Sequence, residues 1–177
     1  MCFSCRAPLL KCLGLFELYY HNEAFVEAIK KFPLLEELEL CQYYSTDVTW
    51  IIKLFATASP NLKHFKHVKL QGGYHAHNRE ALAIGRMHGL RSLQLVHGDL
   101  DNEGLTTILD NCPHMESLDL RLCDNVVIDS SLRAKCDRIK TKKLYPYAYD
   151  DFTKYFVPSI PVRHCSSCRV YHNDGDD

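Results

Sequence analysis

The chain has 177 residues, of which 46% are apolar and 24% are charged, and its formal net charge is −1. These values are ordinary for a globular protein, and a charge so near zero excludes a general electrostatic attraction to nucleic acids or anionic membranes. No apolar run approaches the ~20 residues of a membrane span, and the sequence after Met1 lacks the apolar core of a secretory signal. We therefore expect a protein of the cytoplasm, the nucleus or both.

Leucine-type residues recur along the chain in the order L-x-x-L-x-L. The copies are Leu10-Leu13-Leu15, Leu35-Leu38-Leu40, Leu62-Phe65-His67, Leu90-Leu93-Leu95, Met115-Leu118-Leu120 and a damaged sixth, Ile139-Lys142-Leu144. They begin about 24 to 28 residues apart, within the period of roughly 20–29 residues that is typical of leucine-rich repeats. Each copy is therefore predicted to form one short strand.

A second pattern precedes the strands and predicts a helix in each unit. Apolar residues stand ten, seven, six and three positions before the first leucine, which places them on one helix face. The clearest sets are Phe25, Ala28, Ile29 and Phe32; Ile52, Phe55, Ala56 and Ser59; and Leu105, Ile108, Leu109 and Cys112. We expect Asn22, Ser45, Asn78 and Asn102 to cap the helices at their starts, and Pro33, Pro60 and Pro113 to follow their ends.

The alternating strands and helices predict an α/β leucine-rich-repeat solenoid of five to six units over residues 1–144. In this right-handed superhelix, parallel strands line the concave face, helices cover the convex face, and stacked units share one continuous core. Lys142 occupies a leucine position and cannot lie unpaired in a core, so the array is expected to end there or to place that strand at an edge. We predict that residues 145–177, an aromatic and acidic tail, are partly a cap and partly disordered.

A solenoid of this kind predicts protein binding through the strand residues that lie between the leucines and point toward solvent on the concave face. The candidate positions are Glu36, Glu37, Glu39, Lys63, His64, Lys66, Arg91, Ser92, Gln94, Glu116, Ser117, Asp119, Lys140, Thr141 and Lys143. Their charges alternate in stripes, and neighbouring strands lie only about 4.8 Å apart. Two interpretations remain open: the charges only satisfy one another, or they select a partner with a matching order of charges.

The sequence offers weaker signals for metal binding, redox chemistry or nuclear import. Cys165 and Cys168 have the spacing of half a zinc site, while His75 and His77 lack a third ligand nearby. Four of the nine cysteines, Cys12, Cys112, Cys123 and Cys136, stand at repeat positions and are expected to be thiols that pack as small apolar residues in a reducing compartment. The basic run from Arg133 to Lys143 resembles an import signal, but the solvated face of a terminal repeat is the favoured interpretation. We therefore predict no cofactor, no resident metal and no enzymatic activity.

Two stretches carry a family resemblance, residues 23–40 and residues 104–123, and the second contains the cysteine-bearing segment N-C-P-H-M-E-S-L-D-L. They resemble plant F-box/leucine-rich-repeat proteins, and the similarity continues through residues 131–140. The resemblance implies the target-recognition part of a Skp–cullin–F-box (SCF) ubiquitin ligase receptor, in which an F-box binds the Skp-type adaptor. Because the first repeat starts at Leu10, we expect adaptor binding only in a longer form.

The expected partner is a target protein on the concave face, bound by a monomer without nucleic acid or membrane. Two alternatives remain open at this point. One is a stand-alone repeat scaffold that competes with longer relatives for the same target. The other is a small zinc or redox protein that uses the C-terminal cysteine pair.

Overall fold

A computed structural model describes residues 9–16, 23–42, 47–69 and 78–145. Its strands are β1 (Cys12–Phe16), β2 (Glu37–Gln42), β3 (His64–Lys69), β4 (Ser92–Val96), β5 (Ser117–Arg121) and β6 (Thr141–Tyr145). Its helices are α1 (Glu23–Ile29), α2 (Thr49–Ala58), α3 (Arg79–Ile84), α4 (Asn102–Asn111) and α5 (Ser130–Cys136). Strand and helix alternate without exception across these ranges, so the predicted α/β order is confirmed.

The strands form one open parallel sheet in the order β1-β2-β3-β4-β5-β6. The middle leucines of the motif stand side by side, from Leu13 through Leu38, Phe65, Leu93 and Leu118 to Lys142. Because side chains alternate across a strand, the leucine positions share one face. That face and the helices enclose a single apolar core, which confirms the architecture of a leucine-rich-repeat solenoid.

The helices bury the stripe that the sequence predicts. Ile52, Phe55 and Leu105 have no exposed surface, and Ser59 and Cys112 are buried at one equivalent position after the helix ends. At this position each side chain donates to a carbonyl of the preceding unit. The Ser59 Oγ lies 3.1 Å from the Phe32 carbonyl oxygen, and the Cys112 Sγ lies 3.5 Å from that of Met87.

The helix caps differ from the prediction. Asp101, not Asn102, accepts hydrogen bonds from the amides of Glu103 and Gly104 at the start of α4. Asn78 stands at the cap position of α3 but donates to Asp101 Oδ1 instead, at 2.9 Å. A charged carboxylate is a stronger hydrogen-bond acceptor at a helix N-terminus than a side-chain amide. Asp101 therefore caps α4, and the Asn78 side chain binds Asp101 instead of capping α3. Asn22 and Ser45 lie outside the described residues.

The two outer strands of the described sheet have opposite chemistry. In β1, Phe16 is 53% exposed and the leucines at positions 13 and 15 are only partly buried. In β6, Lys142 replaces the motif leucine and pairs with Asp137 at 3.5 Å. Within the described residues β6 is the last strand of the sheet; whether the array ends there stays a prediction.

Candidate protein-binding surface

A row of charged side chains crosses the sheet one residue before each strand. We call this row the rim ladder; it consists of Lys11, Glu36, Lys63, Arg91, Glu116 and Lys140. Glu36 pairs with Lys11 at 3.0 Å and with Lys63 at 2.9 Å. Glu116 pairs with Arg91 at 2.5 Å and with Lys140 at 3.4 Å. Each carboxylate thus bridges cations from the unit before it and the unit after it.

These contacts change the acidity of the two carboxylates in the rim ladder. Hydrogen bonds from Lys63 and Lys11 hold the pKa of Glu36 at about 2. Hydrogen bonding to Arg91, together with the charge of Lys140, lowers the pKa of Glu116. Both groups are solvent-accessible, where ion pairs contribute little to stability. The rim ladder therefore organises charge on the surface more than it holds the array together.

The strands themselves present two further rows on the face opposite the core. One row contains Glu37, His64, Ser92, Ser117 and Thr141, and the other contains Gly14, Glu39, Lys66, Gln94, Asp119 and Lys143. Within the second row, Asp119 accepts two hydrogen bonds from Arg121, at 2.7 and 2.5 Å. Arg121 is a surface residue that the sequence analysis did not select.

The prediction that all candidate positions point toward solvent is wrong for one pair. The side chains of Glu39 and Lys66 are only 4% and 11% exposed. Opposite charges face each other across β2 and β3, with Lys66 Nζ 2.6 Å from Glu39 Oε1, so the two groups are satisfied internally. The charge stripes had two interpretations. The first, that the charges satisfy one another, describes this pair and much of the rim ladder.

Between the paired groups, the centre of this face is polar and largely uncharged. Ser92, Gln94 and Ser117 lie on neighbouring strands and are partly exposed. His64 is exposed on β3. The structure thus places the predicted residues on one surface; whether that surface binds a partner stays a prediction.

A buried polar group lies on the other face of the sheet, where the repeat motif requires apolar residues. We call it the polar layer; it consists of Gln42, His67, Lys69, Glu80 and Asp99. His67 lies 3.3 Å from Gln42 Oε1 and 3.5 Å from Glu80 Oε2. Lys69 is 2.8 Å from Glu80 Oε1 and also binds Asp99. His67, at a leucine position of the motif, is only 2% exposed, and the sequence analysis did not predict these partners.

The ionised groups of the polar layer stabilise one another. Burial alone would raise the pKa of Glu80, but the adjacent His67 and Lys69 outweigh that effect and hold the pKa at about 2. Burial likewise opposes the charge on Lys69, yet Glu80 and Asp99 raise its pKa above the usual value. A buried cation with carboxylates on both sides is held firmly in place, so this layer ties the end of β3 to α3 and to the segment after β4.

The cysteines of the described segments are thiols. Burial raises the pKa of Cys112 to about 11 and that of Cys123 to about 12, and Cys136 is buried as well. These three behave as the small apolar residues that the sequence predicts. Cys12 does not, because it is exposed on β1.

The basic run from Arg133 to Lys143 is drawn largely into contacts with neighbouring residues of the array. Lys135 pairs with Asp110, Lys140 pairs with Glu116, and Arg138 donates to the carbonyls of Leu109 and Cys112. These contacts favour the predicted terminal-repeat surface over a free import signal.

Other sequence signals are not supported by the described residues or lie beyond them. Across the four described ranges, no three histidine, cysteine or acidic residues are grouped so that they could hold a metal ion. His75, His77, Cys165, Cys168 and the tail from 146 onward lie outside those ranges. In the same ranges, every helix is too short or too polar to cross a lipid bilayer.

With this geometry established, similarity to known proteins becomes informative. The chain is 43% identical over 128 residues to F-box/LRR-repeat protein 22 of Arabidopsis thaliana, a match that covers 71% of this chain and 41% of that protein. The chain is a homologue of plant F-box/leucine-rich-repeat proteins. The family resemblance stated from the repeat residues is thereby confirmed.

Further relatives carry names of the same kind. F-box/LRR-repeat protein 23 of Arabidopsis is 37% identical over 144 residues, which span 76% of this chain and 31% of that protein. The Arabidopsis F-box protein SKIP19 is 39% identical over 118 residues, or 65% of this chain and 37% of that protein. No protein-family model matches the chain. The chain thus spans between about a third and two fifths of the length of these relatives.

Proposed function

We propose that this chain is a target-recognition module of the kind found in SCF-type ubiquitin ligase receptors. It binds a target protein on the open face of its sheet, and it carries out no chemistry of its own. Ubiquitination follows from proximity, because the bound target is held near a ubiquitin-loaded enzyme on other subunits. The observation that carries the proposal is the homology to F-box/LRR-repeat proteins, supported by an open parallel sheet whose outer face presents ordered polar residues.

Contact with a Skp-type adaptor belongs to a form of the protein that also contains an F-box. The recognition module itself needs no cofactor, and it acts in the cytoplasm, the nucleus or both. A module of this size can hold a target on its own, because each strand adds polar side chains to one continuous surface.

The test compares the chain with a chimera in which an F-box of a relative precedes residue 9. Both are expressed in plant cells under proteasome inhibition, and bound proteins are quantified by mass spectrometry. A matched control carries Ser92→Arg and Ser117→Arg, two changes on the open face that leave the core intact. We expect a set of proteins bound by chain and chimera but lost from the control.

After the inhibitor is removed, only the chimera should lower the abundance of those bound proteins. If the control retains the same proteins, the open face is not the binding surface and the proposal fails. If binding depends on that face but the chimera leaves every bound protein at its original level, the chain is a scaffold or competitor without a ligase role.

A further inference from the structure

The order of charges in the rim ladder contains one break. From β1 to β6 the signs run plus, minus, plus, plus, minus, plus, so two cations are neighbours at the centre. Four cations share two carboxylates, Glu36 and Glu116, and each carboxylate is already bridged on both sides. An alternating ladder would require one more negative group between Lys63 and Arg91.

The two central cations stand directly beside each other. Lys63 and Arg91 precede His64 and Ser92, which are partners in the register of β3 and β4. The Arg91 amide donates to the Lys63 carbonyl at 2.8 Å, so their side chains leave adjacent strands at the same level. The backbones of parallel strands are about 4.8 Å apart, and the rim ladder places no carboxylate between these two cations.

Among the residues that the structure describes, each central cation pairs with a carboxylate on its outer side only. Lys63 reaches back to Glu36 on β2's side, and Arg91 reaches forward to Glu116 on β5's side. Their side chains keep 43% and 51% of their surface exposed. On the same face, Lys66 pairs with Glu39 at 2.6 Å.

We propose that the partner of this surface places an aspartate or glutamate side chain between Lys63 and Arg91. This inference rests on the proposed function, because it specifies which chemistry the open face recognises. Arg91 offers several donors in a planar fork that suits a carboxylate, and Lys63 adds a point charge beside it. The exposed His64 and the partly exposed Ser92 and Gln94 follow the pair on β3 and β4 and can hydrogen-bond the backbone of the same segment.

The partner is therefore an acidic segment rather than a basic or purely apolar one. A rim contact of this type contributes more to the rate and selectivity of association than to affinity. Binding should also weaken as ionic strength rises, because both cations are solvent-accessible.

The experiment selects binding peptides from a phage-displayed library of random 12-residue sequences on the purified chain. The best sequence is then synthesised with its acidic residue and, separately, with the matching amide. We expect the selected peptides to share an acidic residue, and replacing it with the amide should weaken binding about two- to fivefold. Lys63→Gln and Arg91→Gln should each cause a loss of the same size.

The matched control is Lys135→Gln, which removes a lysine paired with Asp110 beside the helices rather than on the open face. It should leave peptide affinity unchanged, and urea denaturation should show that all three variants remain folded. Peptides that bind without an acidic residue, or equally well to Lys63→Gln and Arg91→Gln, overturn this inference while protein binding itself stands. A library that yields no binding peptide on the wild-type chain counts against the proposed recognition function as well.

Discussion

Two regions of the array fill the same layer of the core with different side chains. Around β2 and β3 this layer contains polar residues, whereas around β4 and β5 it is apolar. At the last leucine position of the motif, β3 carries His67, whereas β4 and β5 carry Leu95 and Leu120, and all three are buried. Lys69 is buried at the end of β3, where only polar partners can satisfy it. The backbone geometry of a repeat therefore accepts either a polar or an apolar layer, provided that the polar one is fully paired.

The largest effect should follow from removing the cation at the centre of the polar layer. Lys69→Met leaves Glu80 and Asp99 buried without their shared cation, and breaking a buried pair in this way costs about 3–5 kcal/mol. Urea denaturation at pH 7 measures the loss. A loss below 1 kcal/mol would mean that the layer is open to water.

An exchange between equivalent positions of β3 and β4 sharpens the comparison. Leu95→His places an imidazole in the apolar layer, where it lacks the partners of His67, and should cost about 2–4 kcal/mol. His67→Leu restores the repeat motif and should cost only about 1 kcal/mol, because Lys69 still satisfies Glu80. Denaturation midpoints of the two single variants test this order. Equal losses of stability in the two variants would show that the polar layer does not decide whether histidine or leucine fits at this motif position.

The polar layer also makes the stability of the fold depend on pH. The pKa of Glu80 falls from its usual 4.5 to about 2 in the folded chain. Stability from a lowered carboxyl pKa is present above 4.5 and is lost as the pH falls toward 2. Over that interval we expect a loss on the order of 3 kcal/mol from this group.

Thermal unfolding followed by circular dichroism between pH 6 and pH 2 measures this dependence. Glu80→Gln should flatten the acid side of the curve, while Asp110→Asn, on the exposed surface of α4, should leave it nearly unchanged. An acid limb of the same slope in both variants would assign the pH dependence to other carboxylates.

The smallest effect on stability is expected at the buried position after the helix end, which Ser59 occupies after α2 and Cys112 occupies after α4. Ser59 and Cys112 donate to equivalent carbonyls, at 3.1 and 3.5 Å. Ser59→Cys and Cys112→Ser exchange the two donors, so each should change the free energy of unfolding by less than about 1 kcal/mol. Urea titrations of both variants check this expectation. A larger loss in only one of them would indicate that its surroundings discriminate between sulfur and oxygen.

The sequence predicted the strands and most of the buried helix positions because both depend on local periodicity. Leu38, Leu93 and Leu118 fall on the core face through a two-residue alternation that any strand imposes. The sequence also predicted which residues precede and line the strands, including every member of the rim ladder except Lys11.

What could not be predicted depends on contacts between distant residues. The partners of Lys69 are Glu80, 11 positions later, and Asp99, 30 positions later, and only the stacking of units brings them together. The low exposure of Glu39 and Lys66 has the same origin. A side chain that points away from a core is ordinarily hydrated, and only the pairing of β2 with β3 brings these two together. One signal was available: a histidine and a lysine at positions 67 and 69 of an otherwise apolar face indicate that partners must exist nearby.

The unlike outer strands give the array a preferred direction of extension in protein engineering. A designed repeat packed against β1 would meet an uncharged strand and would bury the partly exposed Leu13 and Leu15. A repeat placed after β6 would first have to replace Lys142, whose charge and pairing with Asp137 disfavour an apolar neighbour. Modular lengthening of the described sheet should therefore proceed from the β1 side rather than past β6.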